Sequence, residues 1–137
     1  MVLVFVFDEA ARAQTPVFVQ DGDSLVLNGQ HIRLYGIDAP ELHQLCDGKP
    51  VGQWAKRRLI ELLQGRVDCQ SKGTDRYGRT LAVCINHDLK IDINQTLVEE
   101  GLAQAYTRYT NAYKQYEGWG PIHQYHCQNP ETYRHAK

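Results

Sequence analysis

Arg33-Leu34-Tyr35-Gly36-Ile37-Asp38-Ala39-Pro40-Glu41 is the stretch on which the reading of this chain turns. A strand-like run, Ile32 to Ile37, ends just before a proline, and Pro40 favours an extended Ala39. Asp38 and Glu41 therefore leave a strand end on a stiff turn, where a rigid scaffold commonly displays chemistry. Two carboxylates suit a hard cation or general-base work. The guanidinium of Arg33 suits a phosphate oxygen. The same three groups could also form nothing more than a salt bridge at a strand end, an arrangement that is common and worth little.

Working outward, Pro16 to Gln20 and Ser24 to Leu27 flank Asp21-Gly22-Asp23 and read as strand, turn and strand. Asn28-Gly29 predicts a type I′ hairpin, with Gln30 to Ile37 as the return strand. Residues 42–52 contain Gly48, Pro50 and Gly52 and read as a loop. Trp54, Ala55, Arg58, Leu59, Leu62 and Leu63 make one apolar stripe on a helix over 52–64, closed by Gly65. Arg66 to Ser71 and Arg79 to Ile85 predict the arms of a long hairpin whose tip is Thr74-Asp75-Arg76-Tyr77-Gly78-Arg79. Asp92-Ile93-Asn94-Gln95 reads as a capping box that opens a second helix, ended by Gly101. Tyr106, Tyr109, Tyr113 and Tyr116 recur at helical spacing, but Gly118 and Gly120 interrupt the pattern.

The 137 residues predict a single domain of β-rich α+β class, with 42% apolar and 23% charged residues. A net charge of −1 excludes a polybasic nucleic-acid binder, so any phosphate must be held by local arginines and a metal ion. No apolar run is long enough to span a membrane. Residues 1–13 read as a degenerate export signal, with Ala11-Arg12-Ala13 as a small-x-small cleavage site, or else as a short first strand on the domain. The export reading gives a secreted or periplasmic protein. Of the four cysteines, Cys69 and Cys84 fall on opposite arms of the predicted hairpin and are expected to bond. Cys46 then has only Cys127 as a partner. His123, His126 and His135 read as surface histidines of an irregular tail.

Taken together, Asp21-Gly22-Asp23-Ser24, Arg33-Leu34 with Ile37-Asp38-Ala39-Pro40-Glu41, Thr74-Asp75-Arg76-Tyr77-Gly78-Arg79 and Leu97-Val98 with Gly101-Leu102-Ala103 resemble the staphylococcal, thermonuclease-type family of calcium-dependent nucleases. The match covers about residues 17–109, in family order. The resemblance implies an OB-fold, a five-stranded, partly open Greek-key barrel with two or three helices. It implies a monomer that hydrolyses single-stranded DNA and RNA to 3′-phosphate ends. Asp23, Asp38 and the Ala39 carbonyl would hold Ca²⁺, Glu41 would act on water, and Arg33 and Arg79 would flank the phosphate. Arg76, Tyr77 and Tyr106 would touch the nucleotide, whereas Arg108 stands where the family has a second tyrosine. A non-catalytic OB-type binding module of the same family is the alternative. The domain is expected over 14–116. Residues 117–137 lack the helical stripe of the family's closing helix and are predicted to form at most a short helix in a mobile coil.

Overall fold

The computed structural model describes residues 4–7 and 17–135. Its strands are β1 (Val4–Phe7), β2 (Val17–Asp21), β3 (Ser24–Leu27), β4 (Gln30–Leu34), β5 (Ile37–Asp38), β6 (Val67–Thr74), β7 (Thr80–Asn86), β8 (Ile91–Asp92) and β9 (Gln104–Ala105). Its helices are α1 (Val51–Leu62), α2 (Ile93–Glu99), α3 (Pro121–Gln124) and α4 (Pro130–His135), with a 3₁₀ turn at Lys114–Tyr116. Residues 4–7 thus take the strand form left open by the sequence, paired antiparallel with β6. The Ala11-Arg12-Ala13 segment lies outside the described residues.

Alternation of side chains explains the first sheet strands. Val19, Leu25, Leu27, Ile32 and Leu34 are buried on one face of the β2–β3–β4 meander. Asn28 and Gly29 take φ of 50° and 78°, the pair of positive angles a type I′ turn requires. The main sheet runs β1-β6-β7-β4-β3-β2, with β8 branching from β7. All its pairings are antiparallel except β4 with β7, where Arg33 is in register with Leu81. β5 and β9 form a separate two-stranded ribbon. The architecture is therefore a β-rich α+β fold. Among the described residues the main sheet has seven strands where a partly open five-stranded barrel was expected, and its edge strands β1 and β2 do not pair, so the sheet is not closed.

The apolar stripe of α1 packs on this sheet through Ala55, Leu59 and Leu62, and α2 adds Ile93, Leu97 and Val98. The α1 N-terminus starts one residue earlier than predicted, at Val51. Gly52 is required there by space: a Cβ would lie 1.8 Å from the Glu41 carbonyl oxygen. The missing side chain lets the Glu41 turn rest directly on the helix. Asp92 caps α2 by accepting from the Gln95 amide at 3.0 Å, as the capping box predicts, but Gln95 Nε2 donates to Glu99 instead of returning to the cap.

The end of the chain departs most from expectation. Residues 117–135 contain two short helices, and a Cys46–Cys127 disulfide joins them to the loop after Glu41. Ile122 is buried, and the Gly118 and Ile122 amides donate to the Val98 and Gly101 carbonyls. Gly118 and Gly120 lie against the end of α2, where a Cβ at either would meet the Glu99 or Glu100 carbonyl oxygen at 1.9 or 2.0 Å. Helix propensity reads these glycines as breakers; in the fold they are also the close-packing surface of a docked segment. The second disulfide, Cys69–Cys84, lies across β6 and β7 where those residues are direct partners, as the hairpin reading expects.

Candidate active site

Three backbone features bring the acidic and basic groups together. β3 and β4 pair Ser24 with Arg33, which sets the Asp21–Asp23 turn beside the arginine. The Leu34 amide donates to the Asp23 carbonyl at 2.8 Å. A left-handed turn at Gly36, φ 79°, then starts β5 and places Asp38 on the same side.

Arg33 is the centre of this cluster and is 7% exposed. Its Nη1 lies 2.5 Å from Asp23 Oδ2, and its Nη2 donates to Asp38 Oδ1 at 3.2 Å. The Nη1 contact is close but lacks hydrogen-bond geometry, so this buried donor is held by charge alone. The Ala39 amide donates to Asp23 Oδ2 at 2.7 Å, which fixes the Ala39 backbone beside that carboxylate. Ser24 Oγ donates to Asp21 Oδ1 at 2.5 Å. Burial, with the charge of Asp23 beside it, pushes the Asp21 carboxyl up to about 7. Burial and Asp23 likewise push Asp38 up to about 6, against the pull of Arg33 and Arg134. Desolvation works against the Arg33 charge, but Asp23 and Asp38 outweigh it and raise its pKa. Three carboxylates, those of Asp21, Asp23 and Asp38, thus surround one buried guanidinium.

Arg79 enters from the hairpin tip. Its Nε donates to Asp75 Oδ2 at 2.7 Å, and Asp75 Oδ1 accepts from the Tyr77 and Arg79 amides at 2.9 Å each. Desolvation would raise Asp75, but the hydrogen bonds from Arg79 and Tyr77 hold its carboxyl below the usual carboxylate range. Asp75 thus turns the tip and aims the Arg79 side chain. Tyr77 is 70% exposed, with the guanidinium groups of Arg76 and Arg79 at 5.1 and 5.7 Å from its ring centre. On the other side the Arg33 guanidinium lies 6.0 Å from the Tyr106 ring, and Tyr109 packs on both Tyr35 and Tyr106. Arg33, Asp23, Ala39, Glu41, Arg76, Tyr77, Arg79 and Tyr106 all line one cleft of about 720 Å³. Asp38 is 2% exposed and lies behind Arg33 and Arg134.

Asp21, Arg108, Glu131 and Arg134 are among the cleft residues that escaped the sequence reading as site residues. Asp21 was legible, since it stands in the same acidic motif as Asp23. Arg134 on α4 donates to both Asp38 oxygens at 3.4 Å and has its Nε 4.0 Å from Glu41 Oε1. Arg108 pairs with Glu131 at 3.0 Å. Tyr109, rather than Arg108, supplies the second tyrosine of the cleft. The tail histidines do not converge: His123 stacks on Trp119 and His126 pairs with Asp47. Among the described residues, no three acidic, histidine or cysteine side chains converge as a preformed cage for a metal ion.

The cleft thus combines buried carboxylates with guanidinium groups, which suit anionic oxygens, and exposed aromatic rings, which suit flat partners. A family model described as Staphylococcal nuclease homologue matches residues 31–121. An uncharacterized endonuclease of Haemophilus influenzae is 39% identical over 101 residues, covering 69% of this chain and 53% of its own length. The succinoglycan biosynthesis protein ExoI of Rhizobium meliloti is 32% identical over 104 residues, covering 68% and 54%. A micrococcal nuclease of Shigella flexneri is 36% identical over 105 residues, covering 68% and 58%. The chain spans about half the length of these relatives.

Proposed function

Because the chain belongs to the staphylococcal nuclease homologue family, we propose that it is a calcium-dependent nuclease that hydrolyses single-stranded DNA and RNA to 3′-phosphate ends. The observation that carries this reading is the shared cleft of Arg33, Glu41 and Arg79 beside the buried Asp23–Asp38 pair. Asp23, Asp38 and the Ala39 carbonyl would hold the cation, with Asp21 alongside. The donors are all hard oxygens, and the carboxylates of Asp21, Asp23 and Asp38 stand around the single buried guanidinium of Arg33, so the residues fit calcium. When bound, calcium supplies positive charge next to the scissile phosphate.

The protein's own groups do the rest. Glu41 orients a water molecule and accepts its proton as the new oxygen–phosphorus bond forms. The bond from phosphorus to the 5′-oxygen breaks, and that oxygen leaves with a proton from solvent, so the phosphate stays on the 3′ side. Arg33 and Arg79 direct N–H groups at the equatorial oxygens, where charge builds. A lysine would replace either poorly, because it lacks the planar fork. Tyr77, Arg76 and Tyr106 hold the flanking nucleotide by stacking, which tolerates any base.

The reading includes a monomer and a secreted or periplasmic location. Two disulfides suit an oxidising compartment. Among the described residues no helix is long and apolar enough to cross a membrane. The test is degradation of single-stranded DNA and of RNA by purified protein in calcium and in chelator, with end-group analysis of the products. Loss of cleavage in chelator is expected; equal cleavage in both would remove calcium from the reading. A non-catalytic binding module is the second reading, favoured by the ion pairs that fill the Asp38 pocket. It requires retention of the oligonucleotide without cleavage in calcium.

A further inference from the structure

Asp38 is gripped by two arginines from distant parts of the chain. Arg33 reaches it from the sheet and Arg134 from α4. The two contacts differ in kind. Arg33 is buried and fixed in β4. The Arg134 side chain is 37% exposed and holds both Asp38 oxygens at 3.4 Å, long for charge-assisted hydrogen bonds. Desolvation opposes its charge, but Asp38 more than compensates and raises its pKa. Its Nε, 4.0 Å from Glu41 Oε1, brings it also to the general-base edge of the site.

The tail is fastened so as to deliver this side chain. Cys127, seven residues before Arg134, is bonded to Cys46, five residues after Glu41. Between them Gln44 is fully buried; its Nε2 donates to the Gln128 carbonyl at 2.8 Å and its Oε1 accepts from the Glu41 amide at 3.3 Å. The Glu41 turn and the start of α4 are thus tied twice, once covalently and once through one glutamine.

We propose that Arg134 is a positioning residue that sets the cation affinity of the site: without a metal ion its guanidinium serves as an internal cation on Asp38, and a divalent ion must displace it. The inference rests on the calcium reading above. Asp38 cannot give both oxygens to a guanidinium and also serve a metal ion fully, and the loose, part-exposed arginine is the one that can leave. Arg33 cannot, because it is locked between two carboxylates.

Calcium titration by calorimetry, on the full chain without nucleic acid, tests this. Arg134→Gln is expected to bind calcium about two- to fivefold more tightly than the unchanged protein, the scale of one part-exposed ion pair. Arg134→Lys keeps a cation at that position and is expected to restore affinity toward the original value. Hydrogen exchange of amides 131–135 in the unchanged protein should quicken on adding calcium, as the displaced side chain loosens α4. Equal or weaker calcium binding by a folded Arg134→Gln protein, or a Lys variant identical to the Gln variant, overturns the proposal and leaves the calcium reading standing. Absence of calcium binding in all three proteins overturns both.

Discussion

The β6–β7 hairpin and the segment after α2 both line the same cleft, both supply two arginines to it, and both carry a disulfide bond. They are held by opposite means. The hairpin is stabilised locally: neighbouring strands pair residue by residue, Cys69 faces Cys84, and Asp75 ties the tip to Arg79. The segment 117–135 has only two short helices of its own, and it is tied down by contacts with remote residues, Cys46, Gln44, Val98 and Gly101. A site wall can therefore be built from local pairing or from remote anchoring, and the two should fail differently.

The largest expected difference lies in the disulfides. The Cys46–Cys127 link spans a sequence separation of 81 and the Cys69–Cys84 link one of 15. On chain-entropy grounds they are worth about 4.5 and about 3 kcal/mol. Urea unfolding should show a greater stability loss for the Cys46→Ala/Cys127→Ala protein than for Cys69→Ala/Cys84→Ala. The reverse order would mean that the tail detaches before the domain unfolds, so that its link restrains only a short end. On the hairpin side, Arg79→Ala is expected to lower turnover by about 10²–10³ with unchanged circular dichroism, as for loss of one aimed donor. Asp75→Asn, which leaves Arg79 present but poorly aimed, should lower it by about tenfold. Near-original turnover in a folded Arg79→Ala protein would return that residue to a structural salt bridge.

Legibility in the sequence followed the same division. The hairpin, the Asn28-Gly29 turn, the α1 stripe and the Asp92 cap all rest on residues close in sequence, where periodicity and turn chemistry decide the outcome. The Cys69–Cys84 pairing came from the same local logic. Gly118 and Gly120 carry the opposite lesson. Their propensity is a local property, but their function is to clear space for the Glu99 and Glu100 carbonyls, which no local pattern reports. Arg134 was hidden for the same reason. Its one available signal was that Cys46, once Cys69 and Cys84 are paired, must take Cys127, which carries the tail to the Glu41 turn. Sheet closure also escaped the motifs: they fix which residues meet at the site, whereas edge pairing depends on strand lengths and bends elsewhere.

The smallest effects should separate two kinds of glycine. Gly120→Ala places a methyl group against a backbone carbonyl and should cost about 1–3 kcal/mol as overpacking, read as lost amide protection across 118–135. Gly78→Ala meets nothing within 4 Å but must hold φ near 83°, which should cost about 1 kcal/mol with protection of the tail unchanged. Equal loss of tail protection in both would show that the two walls are coupled.

The parallel pairing of β4 with β7 has a consequence for how the molecule acquires its chemistry. Arg33 and its partner Leu81 can meet only after the intervening crossover, with α1 and β6, has collapsed onto the sheet. Contacts of such long sequence separation form late and slowly, because loop-closure entropy must be overcome first. The hairpin and α1 can be native-like before this, but the arginine between its carboxylates cannot. The geometry of the candidate site is thus completed in the last steps of folding, and a partly folded chain carries the sequence motifs of the site without that geometry.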